Sequence, residues 1–321
     1  MARYYVFNGD ADGLCALQQL RLLEPGDATL VTGVKRDIKL LERVDAAAGD
    51  EVTVLDISLA QNRPALLRLL EHGVHVRYFD HHYAGERPEH PHFEVHIQES
   101  GDVCTSIIVD RYIGGRHRGW AIAAAFGDGL PSIARALANS VGFDMPAAGE
   151  LERLGIGLNY NAYGDSVGDL HVDPRELARQ MLAFDDPINF IRRAPAFAMI
   201  TAGYESDMRR ARALKPTRQV PGATTLVLPD AAWARRSIGV LANELVQSQP
   251  DSAVAILLPR VRGGFVVSVR VPPGRSMSAE EFCRGYETGG GRKLAAGIDH
   301  LEKADVDGFV QRFEAHFRVH E

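Results

Sequence analysis

The first 80 residues alternate short apolar runs with amphipathic stretches, and this alternation constrains the fold more than any other feature of the chain. Arg3–Asn8, Ala28–Gly33, Glu51–Ile57 and Val74–Phe79 are rich in Val, Tyr, Thr and Leu, as buried strands are. Between them, Leu14–Leu23, Ile38–Ala47 and Arg63–His72 place apolar residues at helical spacing. Pro64 suits a first helical turn and Gly73 a helix stop. Such alternation predicts a parallel sheet covered by helices. Further helices are expected at Ile107–Ile113, Gly119–Ala125, Leu130–Val141 and Pro174–Phe184, and over much of Asn189–Leu214. Past Pro216, Pro221 and Gly222 the pattern restarts with a strand at Thr224–Leu228 and a helix at Ser237–Ser248. Strands at Ala253–Leu258 and Phe265–Val271 then flank Gly263-Gly264 as a hairpin, before a helix at Ala279–Tyr286. The expected architecture is α/β: a parallel-sheet N-terminal domain with flanking helices (residues 1–188), a helical linker (189–215) and a smaller α/β C-terminal domain with a mixed sheet (216–321).

Composition narrows the function. Cys15, Cys104 and Cys283 are odd in number and far apart, which argues against a disulfide framework and for a reducing compartment. No signal-peptide pattern or membrane-length apolar run is evident, so a cytoplasmic location is expected. The net charge of −6 divides unevenly, −11 over residues 1–191 and +5 over 192–321. That balance suits a metal site opposed by an anion-binding surface and does not suit a coat for long nucleic acid.

Three acidic clusters each close a predicted strand: Asn8-Gly9-Asp10-Ala11-Asp12-Gly13, Asp56, and Asp80-His81-His82. Ligands bind at the C-terminal edge of an open parallel sheet, so these groups can converge. Any single Asp there reads more simply as a helix cap or turn residue. Three on one edge would repel each other without a cation, and no cap needs consecutive histidines. Carboxylates with one or two imidazoles suit Mn²⁺ or Mg²⁺, with Zn²⁺ a further candidate.

These residues resemble the DHH phosphoesterase superfamily, named for the motif seen at Asp80-His81-His82. The Asp-x-Asp motif matches Asp10 and Asp12, the single strand-ending Asp matches Asp56, and the later Asp matches Asp128. Gly289-Gly290-Gly291-Arg292-Lys293-Leu294-Ala295-Ala296-Gly297 resembles the glycine motif of the DHH-associated C-terminal domain, so the likeness covers nearly the whole chain. The resemblance implies two divalent ions, usually Mn²⁺. Asp56 would bridge them, Asp10 would help hold one, and Asp12, His81 and Asp128 the other. Asp80 would support the site and His82 would face the substrate phosphate. The family includes RecJ-type exonucleases, cyclic-dinucleotide phosphodiesterases, exopolyphosphatases and pyrophosphatases. Short oligonucleotides or dinucleotides are the expected substrates, with no membrane partner and a homodimer open as an assembly.

Two positions depart from the family pattern. Asn8 stands where many members carry His or Asp, and is a neutral candidate ligand; Arg292 replaces the usual His. Arg binds phosphate bidentately, so Arg292, Lys293 and the backbone of Gly289, Gly290 and Gly291, read as preceding a helix, are candidate substrate contacts. Asn161, in the polar-aromatic run Leu158–Gly164, is a further one. Lys35-Arg36-Asp37 reads as a solvated helix start with phosphate binding as the alternative, and His90, His92 and His96 as surface residues. A haloacid-dehalogenase-type phosphatase with Asp10 as nucleophile leaves Asp80-His81-His82 unexplained. A nucleotide sensor that has lost its chemistry is the non-enzymatic alternative.

Overall fold

The computed structural model describes residues 1–319. It divides into two compact units, Met1–Gly203 and Tyr204–Glu321. The first contains β1 (Arg3–Phe7), α1 (Ala11–Leu23), β2 (Thr29–Val31), β3 (Glu51–Leu55), α2 (Leu59–Glu71), β4 (His75–Asp80) and β5 (Phe93–Ile97). Then follow α3 (Thr105–Tyr112), α4 (Arg118–Gly127), α5 (Pro131–Ser140), α6 (Met145–Asn161), α7 (Pro174–Met181), α8 (Pro187–Arg193) and α9 (Pro195–Arg212), which runs past the division. The five strands form one parallel sheet in the order β2-β1-β3-β4-β5. Chain direction across the sheet reverses between β1 and β3, and ligands bind at the strand ends beside such a switch point. Asp10 and Asp56 follow those two strands.

The parallel sheet matches expectation, but several local readings need correction. Ile38–Ala47 is not an α-helix; only Leu40–Arg43 turns, as one 3₁₀ segment. Asn62 explains this, donating to the Ile38 carbonyl at 2.6 Å and accepting from the Leu41 N–H at 3.2 Å, so the backbone is satisfied without a helix. Pro64 lies in the interior of α2 and not in its first turn, because α2 begins at Leu59. The carbonyl it leaves free is that of Ala60, which is partly exposed.

Unit two contains β6 (Arg218–Val220), β7 (Ala223–Val227), α10 (Ala232–Ser248), β8 (Ala253–Pro259), β9 (Phe265–Arg270), α11 (Ala279–Cys283), β10 (Gly289–Arg292), β11 (Ala295–Leu301) and α12 (Val306–Phe317). Its sheet runs β10-β11-β9-β8-β7-β6 and is mixed, β7 and β8 alone being parallel. One face is covered by Phe282, Phe309, Phe313 and Phe317, the other by the apolar stripe of α10. Among the described residues no helix is long and apolar enough to cross a membrane.

Candidate metal centre

Three of the acidic residues at the sheet edge are fixed by their backbone context. Asp10 is the N-cap of α1, its Oδ1 accepting from the N–H groups of Asp12 and Gly13 at 3.1 Å each. Asp12 sits in the first turn of α1 and is clamped by the start of α3. The N–H of Thr105 donates to Oδ2 and that of Ser106 to Oδ1, both at 2.7 Å. A helix N-terminus favours a carboxylate, so this clamp also stabilises the negative charge. Asp56 has φ of 59°, the only positive value at a non-glycine position among the described residues. Such a conformation is rare outside glycine and costs energy that the surrounding structure must offset. It turns the carboxylate inward, where Oδ1 accepts from Thr105 Oγ1 at 3.2 Å.

Asp128 arrives from a different layer. It caps the C-terminus of α4, and the preceding Gly127 lets that helix end approach α1 and α6. A Cβ at Gly127 would lie 2.5 Å from the Ala11 Cβ and 2.7 Å from the Gly155 carbonyl oxygen. Thus one missing side chain carries the Asp128 carboxylate to the strand edge.

His81 completes the cluster. Its Nδ1 donates to the Val103 carbonyl at 3.0 Å, which turns Nε2 toward the carboxylates. From Nε2, Asp56 Oδ1 lies at 3.4 Å, Asp12 Oδ2 at 3.9 Å and Asp128 Oδ2 at 4.0 Å. A ring held through one nitrogen by a backbone carbonyl, with the other facing three carboxylates, is the arrangement of a metal-ligating histidine. Asp128 Oδ2 is buried without a hydrogen-bond partner, as an atom reserved for an ion would be. The donor set therefore fits a divalent cation, which Asp12, Asp56, His81 and Asp128 would hold. His82 also comes near Asp56, at 4.0 Å, but its Nδ1 is bonded to Asp80 Oδ1 at 2.7 Å. Asp80 is fully buried, whereas 46% of the His82 side chain is exposed.

The electrostatics report the crowding. Burial, then the charges of Asp12, Asp10, Asp128 and Asp80, push the Asp56 carboxyl well above the usual range. Burial and Asp12 likewise raise Asp128, against the pull of Lys35 and His81. Burial opposes the charged form of His82, yet the hydrogen bond and charge of Asp80 outweigh it and the imidazole is held above its ordinary value.

Asp10 behaves differently. Burial alone would raise it, but Lys35 overcomes burial and holds this carboxyl low. The Lys35 ammonium is ion-paired with Asp10 Oδ2 and donates to Asn159 Oδ1 at 3.0 Å. The reading of Lys35 as a solvated helix start is therefore corrected: no α-helix starts there, and the side chain is turned into the site. Its place after β2 at the same sheet edge was the one available signal. Asn8 is buried beside it, with Nδ2 3.5 Å from the Lys35 carbonyl oxygen and Oδ1 without a partner.

Other candidates stand elsewhere. Asn161 does not face a ligand. It is fully buried at the end of α6, where Oδ1 accepts from the His171 and Val172 N–H groups at 3.1 Å and Nδ2 donates to the Val172 carbonyl at 2.8 Å. Its amide braces a loop and presents no exposed surface. His96 stacks on Phe79 with ring centroids 4.5 Å apart, and His92 lies against His75 at 4.3 Å. Gly289–Arg292 is not the approach to a helix but strand β10, paired antiparallel with β11. Arg292 and Lys293 are exposed on and just after that strand.

No family model matches the sequence, and no curated protein matches it. Solved structures do. A manganese-bound RecJ exonuclease superposes with a TM-score of 0.63 at 19% identity, over 98% of this chain and 89% of that one. RecJ from Thermus thermophilus, with Mn²⁺, gives 0.63 at 20% identity, over 98% of this chain and 51% of its own, so this chain spans about half of it. A pGpG-specific phosphodiesterase of Vibrio cholerae, PggH, gives 0.55 at 15% identity over 98% of this chain and all of that one. The chain shares the fold of these RecJ and PggH structures. Within that fold, the Asp80-His81-His82 motif spans the end of β4 and the two residues after it.

Proposed function

We propose that this chain is a divalent-metal-dependent phosphodiesterase that cleaves short oligonucleotides or dinucleotides to mononucleotides. The observation that carries the reading is the convergence of three carboxylates on a histidine whose other nitrogen is anchored to backbone. The fold it shares with RecJ and PggH supports phosphodiester chemistry, and the manganese in the RecJ structures supports Mn²⁺ as the ion.

When bound, a divalent ion makes water a nucleophile at neutral pH and draws charge off the phosphoryl oxygens. The chain's own groups supply the rest. Thr105 and Ser106 hold the Asp12 carboxylate through their backbone N–H groups, and the Asp56 backbone pre-sets its carboxylate, so no reorganisation is required on substrate binding. Asp80 fixes the His82 ring through Nδ1 and favours its cationic form, leaving Nε2–H to face a phosphate oxygen. Water attacks phosphorus and gives up a proton to solvent, the P–O ester bond breaks, and the leaving alkoxide oxygen takes up a proton, for which His82 Nε2 is the positioned donor. Arg292 and Lys293 are proposed as further phosphate contacts.

The test is a product profile over labelled oligonucleotides ranging from dinucleotides to long single strands, with pyrophosphate alongside and Mn²⁺ present. Mononucleotide release fastest on the shortest substrates supports the reading. Equal rates at all lengths would make it a RecJ-like exonuclease, and activity on pyrophosphate alone a phosphoanhydride hydrolase.

A further inference from the structure

We infer that Lys35 is a built-in cation standing where a second metal ion would sit, so that the centre takes one divalent ion where the resemblance to DHH enzymes implies two. This rests on the strand edge being a metal centre, and not on the identity of the substrate.

The two sides of the cluster are built unequally. On one side, Asp12 Oδ2, Asp56 Oδ1 and Asp128 Oδ2 surround His81 Nε2 within 4.0 Å, and three negative charges with one neutral nitrogen suit a single divalent ion. Beyond the shared Asp56, the other side would rely on Asp10 and Asn8. Asp10 Oδ1 already accepts two backbone N–H bonds and Oδ2 already faces the Lys35 ammonium. Asn8 brings no charge at the position where a carboxylate or imidazole would favour an ion.

Lys35 is held there on several sides. Its backbone N–H donates to the Ala162 carbonyl at 2.9 Å, its ammonium to Asn159 Oδ1 at 3.0 Å, and the Tyr163 ring centroid lies 5.8 Å from Nζ. A cation so fixed repels a divalent ion drawn to the same carboxylate. An ammonium has three N–H donors, so after Asp10 and Asn159 one remains for a phosphoryl oxygen. Lys35 with Asn8 thus replaces a movable charge with a permanent one. A neutral residue at position 8 and a lysine at position 35 are two parts of one arrangement.

Metal-stripped full-length protein titrated with MnCl₂ tests this, using metal analysis after gel filtration and low-temperature electron paramagnetic resonance. Wild type should saturate at one ion per chain with the six-line spectrum of isolated Mn²⁺, and Lys35→Arg, which keeps the charge, should do the same. Lys35→Met combined with Asn8→Asp should take two ions and show an exchange-coupled spectrum. Two coupled ions in wild type would overturn the inference, as would a folded double variant that stays at one. Wild type binding no manganese would sink the metal centre itself. Since the readout needs no substrate, a failed nuclease assay leaves the result intact.

Discussion

The strand edge of the first sheet and the glycine strand of the second carry opposite charges, and they hold them in opposite ways. At the first edge three acidic groups are buried and fixed by backbone: Asp10 by the start of α1, Asp12 by the start of α3, Asp56 by its own left-handed conformation. At the second, Arg292 is exposed on an edge strand, where its side chain is free to reorient. Rigid, desolvated groups are suited to stabilising a transition state, and long exposed cations to gathering an anion from solution. The difference predicts which step each region governs.

The largest effects should come from the rigid region. His81→Ala and Asp128→Ala each remove one donor from a cluster whose remaining members cannot move to replace it. We expect kcat to fall by at least about 10³-fold, roughly 4 kcal/mol in the barrier, with manganese affinity falling in parallel by calorimetry. A loss confined to KM would break the comparison, because it would make these residues substrate contacts.

A rigid acidic cluster should also be a burden to the metal-free fold. Asp56 titrates above its ordinary value of 3.8, so between that value and its raised one the folded chain binds more protons than the unfolded chain. Stability from this group is therefore complete below pH 3.8 and lost as pH rises through the folded value. Asp56→Asn should abolish catalysis yet raise the stability of metal-free protein at pH 7 by about 0.5–2 kcal/mol, the usual size of a single stabilising substitution. Urea unfolding of both proteins at neutral pH and near the ordinary carboxylate range checks the sign, since the gain should shrink at the lower pH. Excess Mn²⁺ should reverse it, because the ion stabilises only the chain that holds it.

Much of the first region was legible in the sequence, because strand-helix alternation fixes a parallel sheet and a parallel sheet fixes its ligand edge. The pieces that escape the pattern share a physical cause. The Asn62 amide overrides helical spacing at residues 38–47 from a distant position. Helix α6 is hidden because Gly149, Gly155 and Gly157 lower its propensity, yet a Cβ at Gly155 would lie 2.0 Å from the Ala123 carbonyl oxygen, so close packing on α4 demands that glycine. Asn161 reads as a ligand contact because a polar residue near an aromatic run gives no sign of which backbone it will brace. Lys35 can be placed at the right edge, but its partner Asn159 comes from a helix the pattern does not show.

The exposed region should respond more weakly. Arg292→Ala should raise KM for a dinucleotide about tenfold, near 1.4 kcal/mol, with kcat within about twofold. A fall in kcat with unchanged KM would place the guanidinium among the groups that act only in the transition state.

The smallest effect separates packing from recognition within the glycine run. Gly289 and Gly291 have structural reasons: a Cβ at Gly289 would lie 1.7 Å from the Cys283 carbonyl oxygen, and Gly291 combines φ of 144° with a Cβ position 2.4 Å from the Ala296 Cα. Gly290 has neither; nothing among the described residues lies within 4 Å of its Cβ position and its φ is not positive. Gly290→Ala should therefore change stability by no more than about 0.5 kcal/mol, as at an ordinary surface site. If the open backbone at Gly290 serves an approaching phosphate, that same variant should raise KM severalfold while the melting temperature stays unchanged. Unchanged KM would assign the whole run to packing and leave Arg292 and Lys293 as the only anion contacts of this strand.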